Sequence, residues 1–355
     1  MGGAGRLRCQ TLVSFFLGFG TALPEYAIDR QESQRALSAF WPRLPAAAAG
    51  EAVNRHAIAP LAEVVRGRSV GEAMCAYAEH APKLARTAAC QALRDARVHP
   101  ADVDMVISVS CTGYLVPSLD VRLANEIGLR PDVLRLPITE LGCAGGAAAI
   151  AAAHRHLLAF PNDRVLVVAV ELCSLNFHPG DRSIDNLTAA LVFGDGAAAT
   201  VMTGRPAGAE AALEVVATGE WLLPHSMAAL GFDLRESGFH VVLDRKLPRL
   251  IAAELGPIVK AFQARHRVPQ PDFYAVHAGG PRIFDAVDQA LALEPHLLAA
   301  SRGVFSSVGN LSSASLLFGL AATPPDTSGD GLALAFGPGV TVGMAHLRRY
   351  RATPS

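Results

Sequence analysis

The chain carries one order of parts twice, and that repetition limits its folds more than any other feature. In the first half, Val103-Asp104-Met105-Val106-Ile107-Ser108-Val109-Ser110 reads as a buried strand opening into the loop Cys111-Thr112-Gly113. Leu141-Gly142-Cys143-Ala144-Gly145-Gly146 then leads into an Ala-rich helix reaching Leu158, and Arg164-Val165-Leu166-Val167-Val168-Ala169-Val170 follows as a second buried strand. In the second half, Phe273-Tyr274-Ala275-Val276 runs into His277-Ala278-Gly279-Gly280, and Gly309-Asn310-Leu311-Ser312-Ser313 opens an apolar helix through Leu320. Leu332-Ala333-Leu334-Ala335 then enters Phe336-Gly337-Pro338-Gly339. Cys111 thus matches His277 and Cys143 matches Asn310, with about thirty residues between the members of each set, as an internal duplication leaves them.

Strands alternating with helices predict α/β layers around parallel sheet. Two such units meeting face to face put two helix mouths and two strand ends in one cleft. His277 and Asn310 would then reach Cys143 despite their distance in sequence. The seam is expected in Gly204-Arg205-Pro206-Ala207-Gly208, dividing residues 1–205, with the cysteine, from 206–355, with His and Asn. Pro324-Pro325-Asp326-Thr327-Ser328-Gly329-Asp330 reads as a polar surface loop.

With 355 residues, 51% of them hydrophobic, the chain is long enough for a large core or two packed halves. A formal net charge of -1 argues against nucleic acid or an anionic membrane as the main partner. Cys9, Cys75, Cys90, Cys111, Cys143 and Cys173 form no CxxC pair, which suggests reduced thiols in a cytosolic protein rather than a disulfide frame or zinc site. Arg6, Arg8 and the apolar run from Leu12 to Phe19 imitate a secretion signal. No Ala-x-Ala cleavage site follows, so a buried first strand is the expectation. No apolar run is long enough to span a membrane.

Cys143 stands at a helix mouth, where the macrodipole and unpaired N–H groups are expected to lower its pKa and favour the thiolate. The flanking glycines allow close approach of backbone or substrate. With His277 as ion-pair partner and with His277 and Asn310 as N–H donors, the set fits acyl transfer from a thioester through an oxyanion or enolate. No metal or redox group is required. A Cys with a distant His and Asn is also the papain-like set, but the papain signature around the nucleophile is absent. His154 and His156 diverge on their helix and read as surface residues. His178 reads as a loop histidine. Asp195, between glycines, reads as a turn former, and Gly194-Asp195-Gly196 is no phosphate loop because no Lys-Ser/Thr follows.

Six segments in fixed order resemble the chalcone synthase family, the type III polyketide synthases: Leu141–Gly146, Ala169–Ser174, Phe193–Ala198, His277–Pro281, Gly309–Ala314 and Phe336–Gly339. The likeness runs from Gly20 to about Leu347. Glu171-Leu172-Cys173-Ser174-Leu175-Asn176-Phe177 and Gly231-Phe232-Asp233-Leu234 carry a closer likeness to bacterial synthases of alkylpyrones and alkylresorcinols. The resemblance implies a thiolase-like fold of duplicated αβαβα layers, a homodimer, and acyl-CoA and malonyl-CoA as substrates. It implies that Cys143 takes the acyl group, that His277 and Asn310 promote decarboxylation, and that rounds of extension end in cyclisation. Phe193 matches the family's aromatic gatekeeper. Cys111, Phe232, Val241, Gly337 and Pro338 fall on its substrate pocket; Arg43, Gly279 and Gly280 fall on its CoA side.

The chain departs from the family at Ala278, where proline is usual, at Val241 in place of a second phenylalanine, and at Phe232 in place of a small residue. Its basic cluster for CoA phosphates is thin, Arg43 being the one member placed. The same Cys/His/Asn logic leaves three alternatives open: a ketoacyl synthase of the third type condensing once onto acyl carrier protein, a catalytically silent thiolase-fold partner, and a cysteine hydrolase.

Overall fold

A computed structural model describes residues 13–42, 53–205, 213–277 and 279–350; Cys9, Arg43, Ala278 and most of the expected seam lie outside them. Its strands are β1 (Ser14–Ala22), β2 (Tyr26–Ile28), β3 (Arg55–Ala57), β4 (Met105–Val109), β5 (Leu134–Ile138), β6 (Arg164–Leu172), β7 (Asp195–Thr203), β8 (Leu213–Leu222), β9 (Leu230–Arg235), β10 (Gly238–Leu243), β11 (Phe273–Val276), β12 (Gly329–Gly337) and β13 (Thr341–Arg349). Nine of them form one sheet, in the order β11-β12-β13-β8-β1-β7-β6-β4-β5. The expected first strand is present from Ser14, paired between β7 and β8.

The expected parallel sheet is corrected to a mixed one. Among the described strand pairs, only β4/β5, β4/β6 and β11/β12 are parallel. The short Pro338–Val340 turn joins β12 to β13, and a connection that short can link only antiparallel neighbours. The duplication is legible in the pairing: β4-β6-β7-β1 and β11-β12-β13-β8 both run parallel, antiparallel, antiparallel. The two sets meet at β1/β8.

Helices cover both faces, so the central strands are apolar almost throughout; every residue of β7 and all of β6 after Arg164 is buried. Helix Val70–Asp95 brings a small-residue face, Ala81, Ala85, Ala88, Ala89 and Ala92, into the core it shares with β6 and β7. Helix Gly145–Ala159 lies on the other face with helix Ser315–Ala321. This corrects the surface reading of His154, which is buried and holds Ser14 Oγ at 2.9 Å through Nδ1. His156 is half-buried and paired with Asp163 at 2.8 Å. No described helix is long and apolar enough to cross a membrane.

Helix Arg30–Phe40, the β2/β3 pair, helix Ile184–Val192 and the β9/β10 hairpin cap the edge of the sheet at which the helices begin. This cap supplies most of the apolar walls described next.

Candidate active site

Each repeat ends its connection in a one-turn 3₁₀ segment ahead of a helix. Cys143 lies in Gly142–Ala144 before helix Gly145–Ala159; Ser312 lies in Ser312–Ala314 before helix Ser315–Ala321. The two mouths touch because Gly145 and Gly146 have no side chain. A Cβ at Gly146 would run into the Ser313 carbonyl oxygen, and one at Gly145 would press on Val109 and the Ser313 Cβ. The glycines therefore admit the opposite repeat. As a result the Cys143 thiol donates to Ser312 Oγ at 3.4 Å.

His277 extends β11, its N–H donating to Leu334 O at 2.8 Å. Its Nε2 lies 3.3 Å from Asn310 Oδ1. That oxygen also accepts the Ser312 N–H at 2.8 Å and the Ser315 hydroxyl at 3.3 Å. The Asn310 backbone is clamped to the gate segment: its N–H donates to Val192 O at 2.7 Å and its carbonyl accepts Gly194 N–H at 3.0 Å. With Oδ1 taken by donors, Asn310 offers its NH2 to a ligand.

Cys143, His277 and Asn310 border one cavity, which Gly279, Gly280, Arg245 and Arg282 also line. A second cavity shares Cys143, Phe193, Leu230 and Leu243 with the first. It is narrow, with a volume of about 70 Å³, and continues between the cap elements, past Phe177, to Leu37, Ala57, Leu61 and Val64. Phe193 borders both cavities. Phe232, Val241 and Pro338 line the second. Gly337 stands behind Leu141 and Ala144. Cys111 sits one layer back, its thiol 3.3 Å from Ser312 Oγ and 3.4 Å from Glu171 Oε1.

The expected resting thiolate is not what the surroundings favour. Burial pushes the Cys143 thiol up to about 12, the Glu171 carboxyl adds to the rise, and the Ser312 bond opposes it. Burial likewise drives His277 down to about 4, the Asn310 bond opposing. Taken singly, the two groups are a neutral thiol and a neutral imidazole.

Glu171 escaped the sequence reading except as part of a motif. It is fully buried and accepts from Thr112 Oγ1 at 2.7 Å, Cys111 N–H at 3.1 Å and the Ser313 hydroxyl. It pins both repeats beneath the site, while its own burial raises its pKa. The available signal was a lone acid in an otherwise apolar strand. Asp195 corrects the turn-former reading in the same way. It is a buried residue of β7 that accepts Ser174 N–H at 2.8 Å and Ile58 N–H at 2.9 Å. His178 does lie in a loop, but buried, with Nε2 on Phe239 O at 2.9 Å.

Residues 68–206 match the model of chalcone and stilbene synthases, N-terminal domain, and residues 214–350 match the C-terminal domain. The chain is 35% identical over 298 residues to the 1,3,6,8-tetrahydroxynaphthalene synthase of Streptomyces coelicolor, covering 82% of this chain and 79% of that one. It is 31% identical to the phloroglucinol synthase of Pseudomonas fluorescens, covering 83% and 85%. The crystal structure of the Streptomyces coelicolor tetrahydroxynaphthalene synthase superimposes with a TM-score of 0.90 at 32% identity, over 95% of this chain and 100% of that one. The germicidin synthase of the same organism superimposes at 0.87 with 25% identity, over 96% and 100%.

Proposed function

The chain belongs to the chalcone and stilbene synthase family, the type III polyketide synthases, and on that premise we propose that it extends a fatty acyl-CoA and closes the product as an alkylpyrone or alkylresorcinol. As a member of that family it is an acyltransferase that condenses malonyl-CoA.

In this reading Cys143 passes its proton to neutral His277, and the sulfur attacks the starter thioester. CoA leaves as the thiol, taking that proton. The transfer leaves the cleft's net charge unchanged, which suits two groups that burial keeps neutral. Malonyl-CoA then places its thioester oxygen on the Asn310 NH2 and the His277 N–H. As CO2 leaves, the bond's electron pair enters the enolate, which these donors stabilise. The enolate carbon attacks the acyl carbonyl, and the Cys143 sulfur leaves. CoA thioesters are the only co-reactants this needs. Arg245 and Arg282, both exposed and on the lining of this cavity, are the cations proposed to meet the CoA phosphates.

One observation carries the fatty starter: the apolar cavity that continues beyond Cys143 to Leu37, Leu61 and Val64. A second reading, an aromatic product of the tetrahydroxynaphthalene kind, draws on the 35% and 39% identities to synthases of that name. Purified protein, incubated with radiolabelled malonyl-CoA and a panel of acyl-CoA starters beside Cys143→Ala, separates them. Long-chain pyrones or resorcinols that vanish in the variant are expected. A tetrahydroxynaphthalene-type product regardless of starter selects the second reading. Condensation only when acyl carrier protein is added would move the chain to the ketoacyl synthases, and no condensation at all would leave a silent partner.

The homodimer belongs to the same proposal. Strand β5 is an unpaired sheet edge beside an exposed apolar group, with Leu134 53%, Tyr114 57% and Val116 88% exposed. Such an edge invites a second copy. Sedimentation at the mass of one 37.2 kDa chain would overturn it.

A further inference from the structure

Among the described residues that line the apolar cavity, Arg55 is the one arginine, and no lysine or carboxylate stands with it. It opens β3 and is only 6% exposed. Burial draws its guanidinium down to about 10, with the charges of Asp195 and Glu32 opposing, so it remains a cation at neutral pH. Taking a cation out of water is costly unless the bonds it makes repay the loss, and an apolar side chain would meet no such cost in this wall.

The bonds fall on the chain that leads into the site. Arg55 Nη1 donates to Ser33 Oγ at 2.8 Å, on helix Arg30–Phe40, and to Leu191 O at 3.2 Å, in the last turn of helix Ile184–Val192. Carbonyls of a last turn have no partner within their own helix, and a cation there also meets the negative end of the helix dipole. Phe193 follows two residues later. The stem of Arg55 packs on the same stretch: a Cβ at Gly194 would stand 3.0 Å from the Arg55 Cβ, and one at Gly309 would stand 3.4 Å from it. Arg55 thus lies against both chains of the short parallel bridge between Phe193 and Asn310. In that bridge Asn310 N–H donates to Val192 O, and the Asn310 carbonyl accepts Gly194 N–H.

Resting on the polyketide synthase reading, we infer that Arg55 is a positioning residue for decarboxylation, which pins the end of helix Ile184–Val192 against Gly309 and so keeps the Asn310 NH2 on the malonyl thioester oxygen. It acts through Asn310 and exchanges no proton. The other two members of the site are placed by different contacts: Cys143 by its own helix mouth and Ser312, His277 by its N–H on Leu334 O. Loss of the Arg55 bonds therefore falls on the step that needs the Asn310 donor and spares the step in which Cys143 takes the acyl group.

The test compares wild type with Arg55→Met, Arg55→Lys and Ser33→Ala. Two rates are read, CO2 release from labelled malonyl-CoA and the mass shift on acyl loading, with Tm beside them. In Arg55→Met, which keeps an apolar stem and removes the donors, CO2 release is expected to fall about ten-fold or more relative to loading, since a misplacement of about 1 Å costs on the order of 10²-fold. Arg55→Lys returns a charged donor to the Leu191 carbonyl and should recover most of that loss. Ser33→Ala removes one of the two bonds and should lower the same ratio by about three-fold, roughly the worth of one hydrogen bond. An arginine that only holds the fold together would lower Tm and reduce both rates in parallel, and that overturns the inference. A wild-type ratio in Arg55→Met overturns it as well, as does an Arg55→Lys no better than Arg55→Met. Should Arg55→Met fail to fold, Ser33→Ala decides, an unmoved ratio there overturning the inference. Wild type that neither loads an acyl group nor releases CO2 would instead overturn the polyketide synthase reading on which this rests.

Discussion

His277 Nε2 meets Asn310 Oδ1 at 3.3 Å, on an oxygen that also accepts the Ser312 N–H, while His277 Nδ1 is buried without a partner. Asn310 holds the imidazole with one end of its amide and offers the other to the enolate oxygen. Asn310→Ala is therefore expected to lower malonyl-CoA decarboxylation by about 10²–10³-fold, the usual loss on deleting one oxyanion donor. Asn310→Asp keeps the acceptor but loses the NH2 donor, so it should fail in decarboxylation as Asn310→Ala does. Labelled CO2 release and the mass shift of the acylated protein read the two steps separately; a variant that keeps decarboxylation near wild type would remove Asn310 from the chemistry.

Cavity shape gives a second prediction. Phe232 faces Val241 across the β9/β10 hairpin and packs edge-on against Phe239, 5.9 Å between ring centroids. Phe232→Gly is expected to enlarge the cavity and lengthen or redirect the products. Ala190, on the cap helix and lining the same cavity, allows the converse. Ala190→Phe fills the apolar extension and should cut use of long starters relative to short ones by about ten-fold or more, since each excluded methylene forfeits roughly 0.8 kcal/mol of burial. Product profiles unchanged in both would mean that starters do not enter this cavity.

Much of this was legible before any coordinate. The repeat placed Cys143 and Asn310 at equivalent helix mouths, and the β4-β6-β7-β1 and β11-β12-β13-β8 sets carry that equivalence into the pairing. Strand direction was not legible, because a buried apolar run looks the same in a parallel or an antiparallel neighbourhood. The burial that raises the Cys143 pKa was not legible for a related reason. A helix mouth can be read from glycines, but the depth of burial depends on residues of other elements, such as Ser312 and Phe193. Glu171, Asp195 and His154 share that explanation: a lone polar residue in an apolar segment signals a buried acceptor only when its donors are known, and those come from other elements.

Asp195 links the fold to pH. Burial lifts its carboxyl from an ordinary 3.8 to about 6, with Ser174, Ile58 and Arg55 opposing. A folded-state pKa above the unfolded value means that the folded chain holds the proton more tightly. This contribution to stability is complete below about pH 3.8 and is lost as pH rises through about 6, by about 3 kcal/mol. Asp195→Asn carries no titration, so its stability relative to wild type should improve steadily from pH 4 to pH 7. Denaturant unfolding at several pH values measures this; a difference independent of pH would mean that the carboxyl titrates alike in both states.

The contact between the two helix mouths supports the sharpest test of how the fold makes the site. Gly146 lies where any side chain would meet the Ser313 carbonyl, and the turn behind Ser313 carries Ser312, whose hydroxyl sits on the Cys143 thiol. Ser313 itself donates to Glu171, so the turn cannot retreat without breaking that buried bond. Gly146→Ala must therefore either push the second repeat away from the first or bend the helix that begins at Gly145. Overpacking of this kind costs about 1–3 kcal/mol, and both routes carry Ser312 and Asn310 away from Cys143. Gly319 is the matching control, a glycine inside helix Ser315–Ala321 with nothing within 4 Å of the position a Cβ would take. Gly319→Ala should stabilise the chain by about 0.4–1 kcal/mol through the unfolded state and leave the site in place. If Gly146→Ala lowers stability and acyl loading together while Gly319→Ala lowers neither, close approach of the repeats is what assembles the site. If Gly146→Ala keeps full loading, Cys143 works without its partner mouth, and the duplicated architecture contributes only the sheet.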